Sequence, residues 1–479
     1  MIRTIIEYLM LFFGSFILVY MLIVISSYVM MLIYALKRLR KEQGLDKSDY
    51  EKVHLNAMYS KPISIIVPAY NEEIGVVDSV HSLLNLNYPE VEIIIVNDGS
   101  KDQTLQRAIE AFQMVPIQRI VRKEIPSKEI IQLYQSTIYQ NCILVDKENG
   151  GKADALNAGI NVSKYPYFCS IDGDSILDAN SLVRIMKPIM QSNGEVIAVG
   201  GNVRIANGVD MELGTVKQQM MSKNAIVVMQ IIEYLRAFLM GRIAFSRFNL
   251  VLIISGAFSV FSKKYVIDVG GYAVSTIGED MELVVKLHRH LKETDDDKRI
   301  EFVADPVCWT EAPESLNVLR KQRRRWHQGL LESLWKHRRM TLNPKYGGVG
   351  LVSFPYFWLI ECLGPVIELG GYIYVICAYF LGGVYYEVAL LLLLLFVIYG
   401  SLFSAIAVLF EAWTLDRYPS ARELSRVVVL ALTEIFWYRP LTLIWRLEGF
   451  VHFFLGRKEW GNMERKGISK ESSTKEQKV

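Results

Sequence analysis

From Tyr8 to Leu36 the chain carries no charged side chain. A bilayer core takes roughly 20 apolar residues in a helix, so this stretch can cross it with residues to spare. It is too long for the apolar part of a signal peptide and lacks a small-residue cleavage site, so we read residues 1–41 as a retained membrane anchor. Lys37, Arg38, Arg40 and Lys41 follow it, a cation cluster that places this flank in the cytoplasm and the N-terminus outside. Val388–Phe410 is a second uncharged stretch. A freely soluble enzyme is excluded, and the lipid bilayer is the first expected partner.

Of 479 residues, 51% are hydrophobic and 22% charged, an average that conceals two compositions, because Lys37 to Tyr346 reads as an ordinary globular sequence. A net charge of +3 is too small to imply nucleic acid as a partner. The five cysteines are scattered, odd in number and without metal-ligand spacing, which suits reduced thiols. The polar tail after Lys466 has a composition that resists folding.

Within the globular part, apolar runs at Ser64–Ala69, Glu92–Asn97, Ile143–Asp146 and Tyr167–Ile171 alternate with segments able to form helices. This βαβα order predicts an α/β domain with a mostly parallel sheet and helices on both faces. Ligands of such sheets bind beyond the carboxyl ends of the strands. Polar clusters follow three of the runs: Ala69-Tyr70-Asn71-Glu72-Glu73, Asn97-Asp98-Gly99-Ser100 and Asp172-Gly173-Asp174-Ser175. Taken singly, the second and third are also good turn sequences. Their common placement favours one crevice, and two carboxylates about a glycine suit a divalent cation such as Mg²⁺ or Mn²⁺. Asn149-Gly150-Gly151-Lys152 can offer amides and a cation to a phosphate, or simply cap a helix.

Further on come Ser255-Gly256-Ala257, then Gly278-Glu279-Asp280 before an amphipathic helix that Asp280 could also cap, and Gln322-Arg323-Arg324-Arg325-Trp326. Arg320 to Arg339 holds eight Lys or Arg against one acidic residue, interleaved with Trp and Leu, which describes a helix lying on a membrane surface.

In this order the motifs VPAYNEE, NDGS, GGKADALNAG, DGDS, SGAF, GED and QRRRW resemble the membrane-embedded, processive family-2 glycosyltransferases. The pattern is most similar to bacterial poly-N-acetylglucosamine synthase-like enzymes, with hyaluronan, chitin and cellulose synthases as cousins. The resemblance implies a GT-A-like domain and places Ala69, Tyr70, Glu72, Asp98 and Lys152 around a uridine nucleotide. It makes Asp172 and Asp174 the ligands of Mg²⁺ or Mn²⁺, Asp280 the catalytic base, and Arg325 a catalytic cation at the diphosphate. Ser255, Gly256, Glu279, Gln322, Arg323 and Trp326 then belong to the acceptor and diphosphate end. Trp460, Gly461 and Arg465 form a candidate gating loop, although the cousins' Trp-Gly-Thr-Arg is here Trp460-Gly461-Asn462-Met463-Glu464-Arg465, with the arginine displaced. Only a short tail follows Gly467, an expectation against a built-in cyclic-dinucleotide-binding domain.

The implied function is an inverting transfer from a UDP-sugar donor, UDP-N-acetylglucosamine first among them, to a growing polysaccharide or lipid acceptor. An accessory membrane subunit is a candidate partner. The alternatives are a single transfer to lipid, as in ceramide glucosyltransferase-like enzymes, or a membrane transporter or scaffold with an inactive nucleotide domain. The expected organisation is an anchor (1–41), a cytoplasmic transferase domain (60–315), interfacial helices with QRRRW (316–345), C-terminal membrane and interfacial helices (350–456) and a basic cytoplasmic tail (457–479). Two details are exposed to test: Glu361 and Glu368, seven apart, should share a helical face, and Pro440 should break the helix after Val427.

Overall fold

The computed structural model describes residues 2–53, 60–173, 175–212, 215–219, 222–381, 386–415 and 421–457. The described residues divide into an α/β unit (within 50–223 and 251–312) and a helical unit (within 1–49, 224–250 and 313–457).

In the α/β unit the four apolar runs become central strands whose side chains are almost all buried, as continuous Val and Ile runs require when helices cover both faces. The strands are β1 Ile63–Ala69, β2 Val91–Asp98, β3 Met114–Ile117, β4 Ile130–Ser136, β5 Cys142–Lys147, β6 Tyr167–Ile171, β7 Ile176–Leu177, β8 Val196–Ile205, β9 Val209–Glu212, β10 Thr215–Gln219, β11 Phe258–Ser262 and β12 Arg299–Thr310. Among the described residues β9 and β10 form a separate hairpin, and the others make one sheet in the order β3-β4-β5-β2-β1-β6-β11-β8-β12-β7.

The run β5-β2-β1-β6 is parallel, as the alternation predicts. Both flanks differ: β4 is antiparallel to β5 and to β3, and β11 is antiparallel to β6 and β8. The flanking strands escaped the sequence for physical reasons. β3 is short and carries Pro116, tolerated because β3 is an edge. β4 is only partly buried, so its apolar signal is weak.

Close packing of the Lys152–Val162 helix on this sheet depends on Gly159, where a Cβ would lie 2.4 Å from Ile66 Cγ2. That contact fixes how near the first turn of the helix sits to the strand ends.

Residues 224–250 are a correction to the expected 60–315 domain: they leave the α/β unit and run as helices Ala225–Leu235, Arg236–Arg242 (π-helical) and Ile243–Arg247 within the helical unit. Asn224 caps the first of these, its side chain accepting from Ile226 N.

Among the described residues the helical unit has two helical stretches long and apolar enough to cross a membrane, Ile5–Arg38 and Tyr386–Leu409. There are up to four if each of two bent pairs is one span: Val349–Cys362 with Gly364–Phe380, bent by 44°, and Ala421–Phe436 with Tyr438–Phe454, bent by 52°. Ile17 and Met21 of the first helix are buried together with Tyr374, Ala378, Leu392 and Phe396.

Both helical details from the sequence are revised. The break at Leu363 separates Glu361 from Glu368, so the two do not share one straight helical face. The second break falls at Trp437, three residues before Pro440, which sits in the first turn of the following helix, where a missing N–H costs nothing.

Glu368 instead receives Arg439, with Nε to Oε1 at 2.6 Å and Nη2 to Oε2 at 3.1 Å, and Arg446 donates to the carbonyl oxygen of Glu361. A bidentate pair this poorly solvated is costly to break on one side only. Glu368→Ala should therefore destabilise the helical unit by about 3 kcal/mol, whereas adding Arg439→Leu should recover much of the loss, read as thermal midpoints in detergent. Equal midpoints for Glu368→Ala and the unaltered chain would show the pair to be ornamental.

Candidate active site

Beyond the carboxyl ends of β1, β2, β5 and β6, four segments are tied together by named hydrogen bonds. After β1 the backbone turns at Asn71, whose φ of 55° is the left-handed conformation asparagine tolerates. The next amides are satisfied by the segment after β2: Asn71 N donates to Ser100 Oγ (3.1 Å), Glu72 N to Thr104 Oγ1 (2.8 Å) and Glu73 N to Asp102 Oδ2 (3.1 Å). In return Lys101 N donates to Asn71 Oδ1 and Gln103 N to Glu73 Oε2. Ala69 is buried at the root of this loop, and Tyr70 stands exposed.

Asp98, the last residue of β2, is buried, and its carboxylate is occupied from several sides. Lys147 Nζ donates to Oδ1 at 2.5 Å, Gly150 N to Oδ1 at 3.0 Å, Gly151 N to Oδ2 at 2.7 Å and Asn149 Nδ2 to Oδ2 at 3.2 Å. Burial pushes the Asp98 carboxyl up from the ordinary carboxylate range, against the pull of Lys147 and the two glycine amides. The aspartate expected beside the nucleotide thus holds the Gly-Gly-Lys loop.

That loop needs its glycines. Gly151 has φ 87°, and a Cβ on Gly150 would fall 2.4 Å from Asp154 Oδ2. Lys152 then opens its helix and pairs with Asp172 of the segment after β6, with Glu279 Oε1 at 3.8 Å. Although desolvation works against its charge, the field of Asp172, Glu279 and Asp280 raises the Lys152 pKa, so it stays cationic.

Asp172 is held in a turn closed by Ser175 N donating to its carbonyl (3.0 Å). A Cβ on Gly173 would lie 3.1 Å from Pro68 O and 3.6 Å from Glu72 Cγ, which brings the third cluster against the first. Asp174 lies outside the described residues. Among the described residues no group of three His, Cys, Asp or Glu stands ready to hold a metal. The donor chemistry nonetheless suits a hard divalent cation, since Asp172 is a carboxylate at a strand end that already draws a cationic partner.

Glu279 and Asp280 begin the Glu279–Glu293 helix. Gly256 lies so near that a Cβ there would be 2.9 Å from Asp280 Oδ2, which joins the Ser255-Gly256-Ala257 turn to Asp280. Asn157 fixes the approach to this helix, accepting from Tyr272 N (2.8 Å) and donating to Tyr272 O (3.0 Å). Burial raises the Tyr272 pKa, with Asp280 and Glu279 adding to the effect, so its hydroxyl stays protonated.

The QRRRW residues belong to the helical unit, on the helix Leu316–Lys336 capped by Ser315. Gln322 and Arg323 are buried, Arg325 is partly buried and Trp326 is exposed. Arg323 donates to Glu233 Oε2 (2.6 Å) and Gln322 Oε1 (2.8 Å), and its guanidinium lies 4.4 Å from the Trp326 ring centroid. That side chain, expected at the acceptor end, is committed to helix packing. Trp460, Gly461 and Arg465 lie outside the described residues.

Sequence reasoning missed Lys147, Asp154, Asn157 and Glu233. A lysine ending the run Cys142-Ile143-Leu144-Val145-Asp146 was a readable signal, since a charge at the end of a buried strand needs a partner.

Residues 64–270 match the model of Glycosyl transferase family 2. This segment is similar to the catalytic domains of family 2 glycosyltransferases. The chain is 32% identical over 313 residues to a poly-beta-1,6-N-acetyl-D-glucosamine synthase of Staphylococcus epidermidis, covering 65% of this chain and 63% of the relative. It is also 32% identical over 298 residues to the enzyme of the same name from Staphylococcus aureus strain COL, covering 62% and 61%. The chain therefore matches less than two thirds of the length of these relatives. The fold is similar to that of a mannosyltransferase from Pyrobaculum calidifontis solved with GDP-Man and Mn²⁺, at a TM-score of 0.55 and 15% identity, covering 93% of this chain and all of the other.

Gly256 is a small residue whose substitution would press on Asp280. Gly256→Ala should leave the fold intact yet lower turnover by about tenfold or more, because the new methyl displaces the Asp280 carboxylate. Turnover within twofold of the unaltered chain would remove Asp280 from the reacting geometry.

Proposed function

We propose that the chain is an integral-membrane, inverting glycosyltransferase that extends a β-linked polysaccharide from UDP-N-acetylglucosamine and couples synthesis to export. The observation that carries this reading is the convergence of Lys152, Asp172, Glu279 and Asp280 in one ion network beyond the strand ends of a domain similar to those of family 2 glycosyltransferases. The names of the curated relatives support the choice of N-acetylglucosamine and of a polymer.

The chemistry assigns a part to each group. The acceptor hydroxyl gives its proton to Asp280 as its oxygen attacks the anomeric carbon, and the bond from that carbon to the diphosphate breaks, releasing UDP. Attack from the face opposite the leaving group inverts the centre, so an α-linked donor yields a β-linkage. Lys152 offers a fixed positive charge to the diphosphate, and the Ala69–Glu72 segment with exposed Tyr70 receives the nucleoside. Asp172 and Asp174 would hold Mg²⁺ or Mn²⁺, which when bound supplies further charge stabilisation at the departing diphosphate. Gln322, Arg325 and Trp326 are assigned to the diphosphate and acceptor end on the resemblance of their motif alone, and Arg323 to holding that helix. The basic flank after the first span supports a cytoplasmic catalytic domain, which meets the donor where nucleotide sugars are made.

Purified full-length protein given a panel of UDP-sugars should release UDP with UDP-N-acetylglucosamine in preference to UDP-glucose and UDP-glucuronate, and the product mass should show many sugar units. One added sugar per lipid would point instead to the single-transfer reading, and no UDP release with any donor to a scaffold. Asp174→Ala and Asp280→Asn should each lower transfer by about a hundredfold or more, but only Asp280→Asn should keep full UDP affinity. Near-normal turnover of folded Asp280→Asn would overturn the assignment of the base.

A further inference from the structure

The side chain of Lys147 is completely buried, yet none of the roles above uses it. Its ammonium bridges Asp98 Oδ1 at 2.5 Å and Asp154 Oδ2 at 2.6 Å, and also donates to Glu148 O at 2.6 Å. Removing this buried cation would leave two carboxylates facing each other without the group that bridges them. The three residues come from three elements: the end of β2, the end of β5 and the first turn of the Lys152–Val162 helix.

We propose that Lys147 is the positioning residue of the nucleotide loop, acting through Asp98 and Asp154 and touching no substrate. Asp98 takes the amides of Gly150 and Gly151, and Asp154 takes the amide of Lys128 from the neighbouring strap at 3.0 Å. Among the described residues Lys147 is the cation shared by both carboxylates, so it fixes the loop against the helix start and thereby aims Lys152 at the Asp172–Glu279 pair. Gly99 closes the arrangement from below, at φ 64°, where a Cβ would come 2.9 Å from Asn149 N. The α/β unit is thus given its diphosphate-facing cation by a second, hidden lysine five residues earlier.

The inference rests on the reading of this crevice as a UDP site, and the test separates the two. UDP binding to the full-length protein in detergent is measured by calorimetry, with hydrogen exchange followed in residues 148–156 and in the strands. If the unaltered protein binds no UDP, the nucleotide reading fails before Lys147 is addressed. Given binding, Lys147→Met should weaken UDP affinity by about tenfold or more and speed exchange in 148–156, while exchange in β1 and β2 is unchanged. The double variant Lys147→Met/Asp154→Asn has the same formal buried charge as the native trio, and it decides the matter if the single variant does not fold. It should still bind UDP about tenfold or more weakly, because no group ties the Asp98 carboxylate to the side chain at position 154. UDP affinity within twofold of the native value, in the folded single variant or in the double variant, would overturn the proposal and leave Lys147 a balancing charge only.

Discussion

The Asp98 carboxylate is the constraint on which the candidate site of the α/β unit depends. It ends a strand whose side chains are buried, so its charge has to be met by donors rather than water. Those donors are a lysine from the adjacent strand, an asparagine and two successive glycine amides. Satisfying one buried acid therefore dictates the path of the loop from β5 to the next helix. Once that path is fixed, Lys152 has one place to stand, and the acids after β6 and at the start of the Glu279 helix have a cation to face.

The helical unit uses the same physics for a different end. Arg236 meets Glu434 at 3.2 Å, Arg439 meets Glu368 at 2.6 Å and Arg323 meets Glu233 at 2.6 Å, each pair joining separate helices. In surroundings of low polarity these charges are costly alone and orienting when paired, so they select which helix lies against which. Apolar packing by itself would be less selective, because lipid tails compete equally for Leu and Ile. Gly449 lets the last helix approach the QRRRW helix closely, with the position of its absent Cβ 2.8 Å from Arg324 O.

Much of the site was legible as residue types. Asp172 was named from a cluster after an apolar run, where ligands of parallel α/β sheets bind, Lys152 from a Gly-Gly-Lys loop at a helix start, and Glu279 and Asp280 from the resemblance of the motif before their helix. What was not legible was which of these acids face outward. Asp98 and Asp172 look alike in sequence, each an acid next to a glycine after a buried strand. One is buried against Lys147 and two amides, and the other remains partly exposed beside Lys152.

By itself the sequence determined an N-terminal helix long and apolar enough to cross a membrane, the alternation that builds the parallel centre of the sheet and the polar loops of the candidate site. These follow from local properties, namely an absence of charge over a bilayer's length, the period of apolar residues and the turn chemistry of Gly, Asn and Asp. Only the tertiary structure decided that β4 and β11 run antiparallel to the central strands, that residues 224–250 join the helical unit, and that Lys147 and Glu233 are partners of Asp98 and Arg323. Each of those outcomes depends on contacts between residues far apart in the chain, and a charge's partner is chosen by where the backbone delivers it, not by its neighbours in sequence.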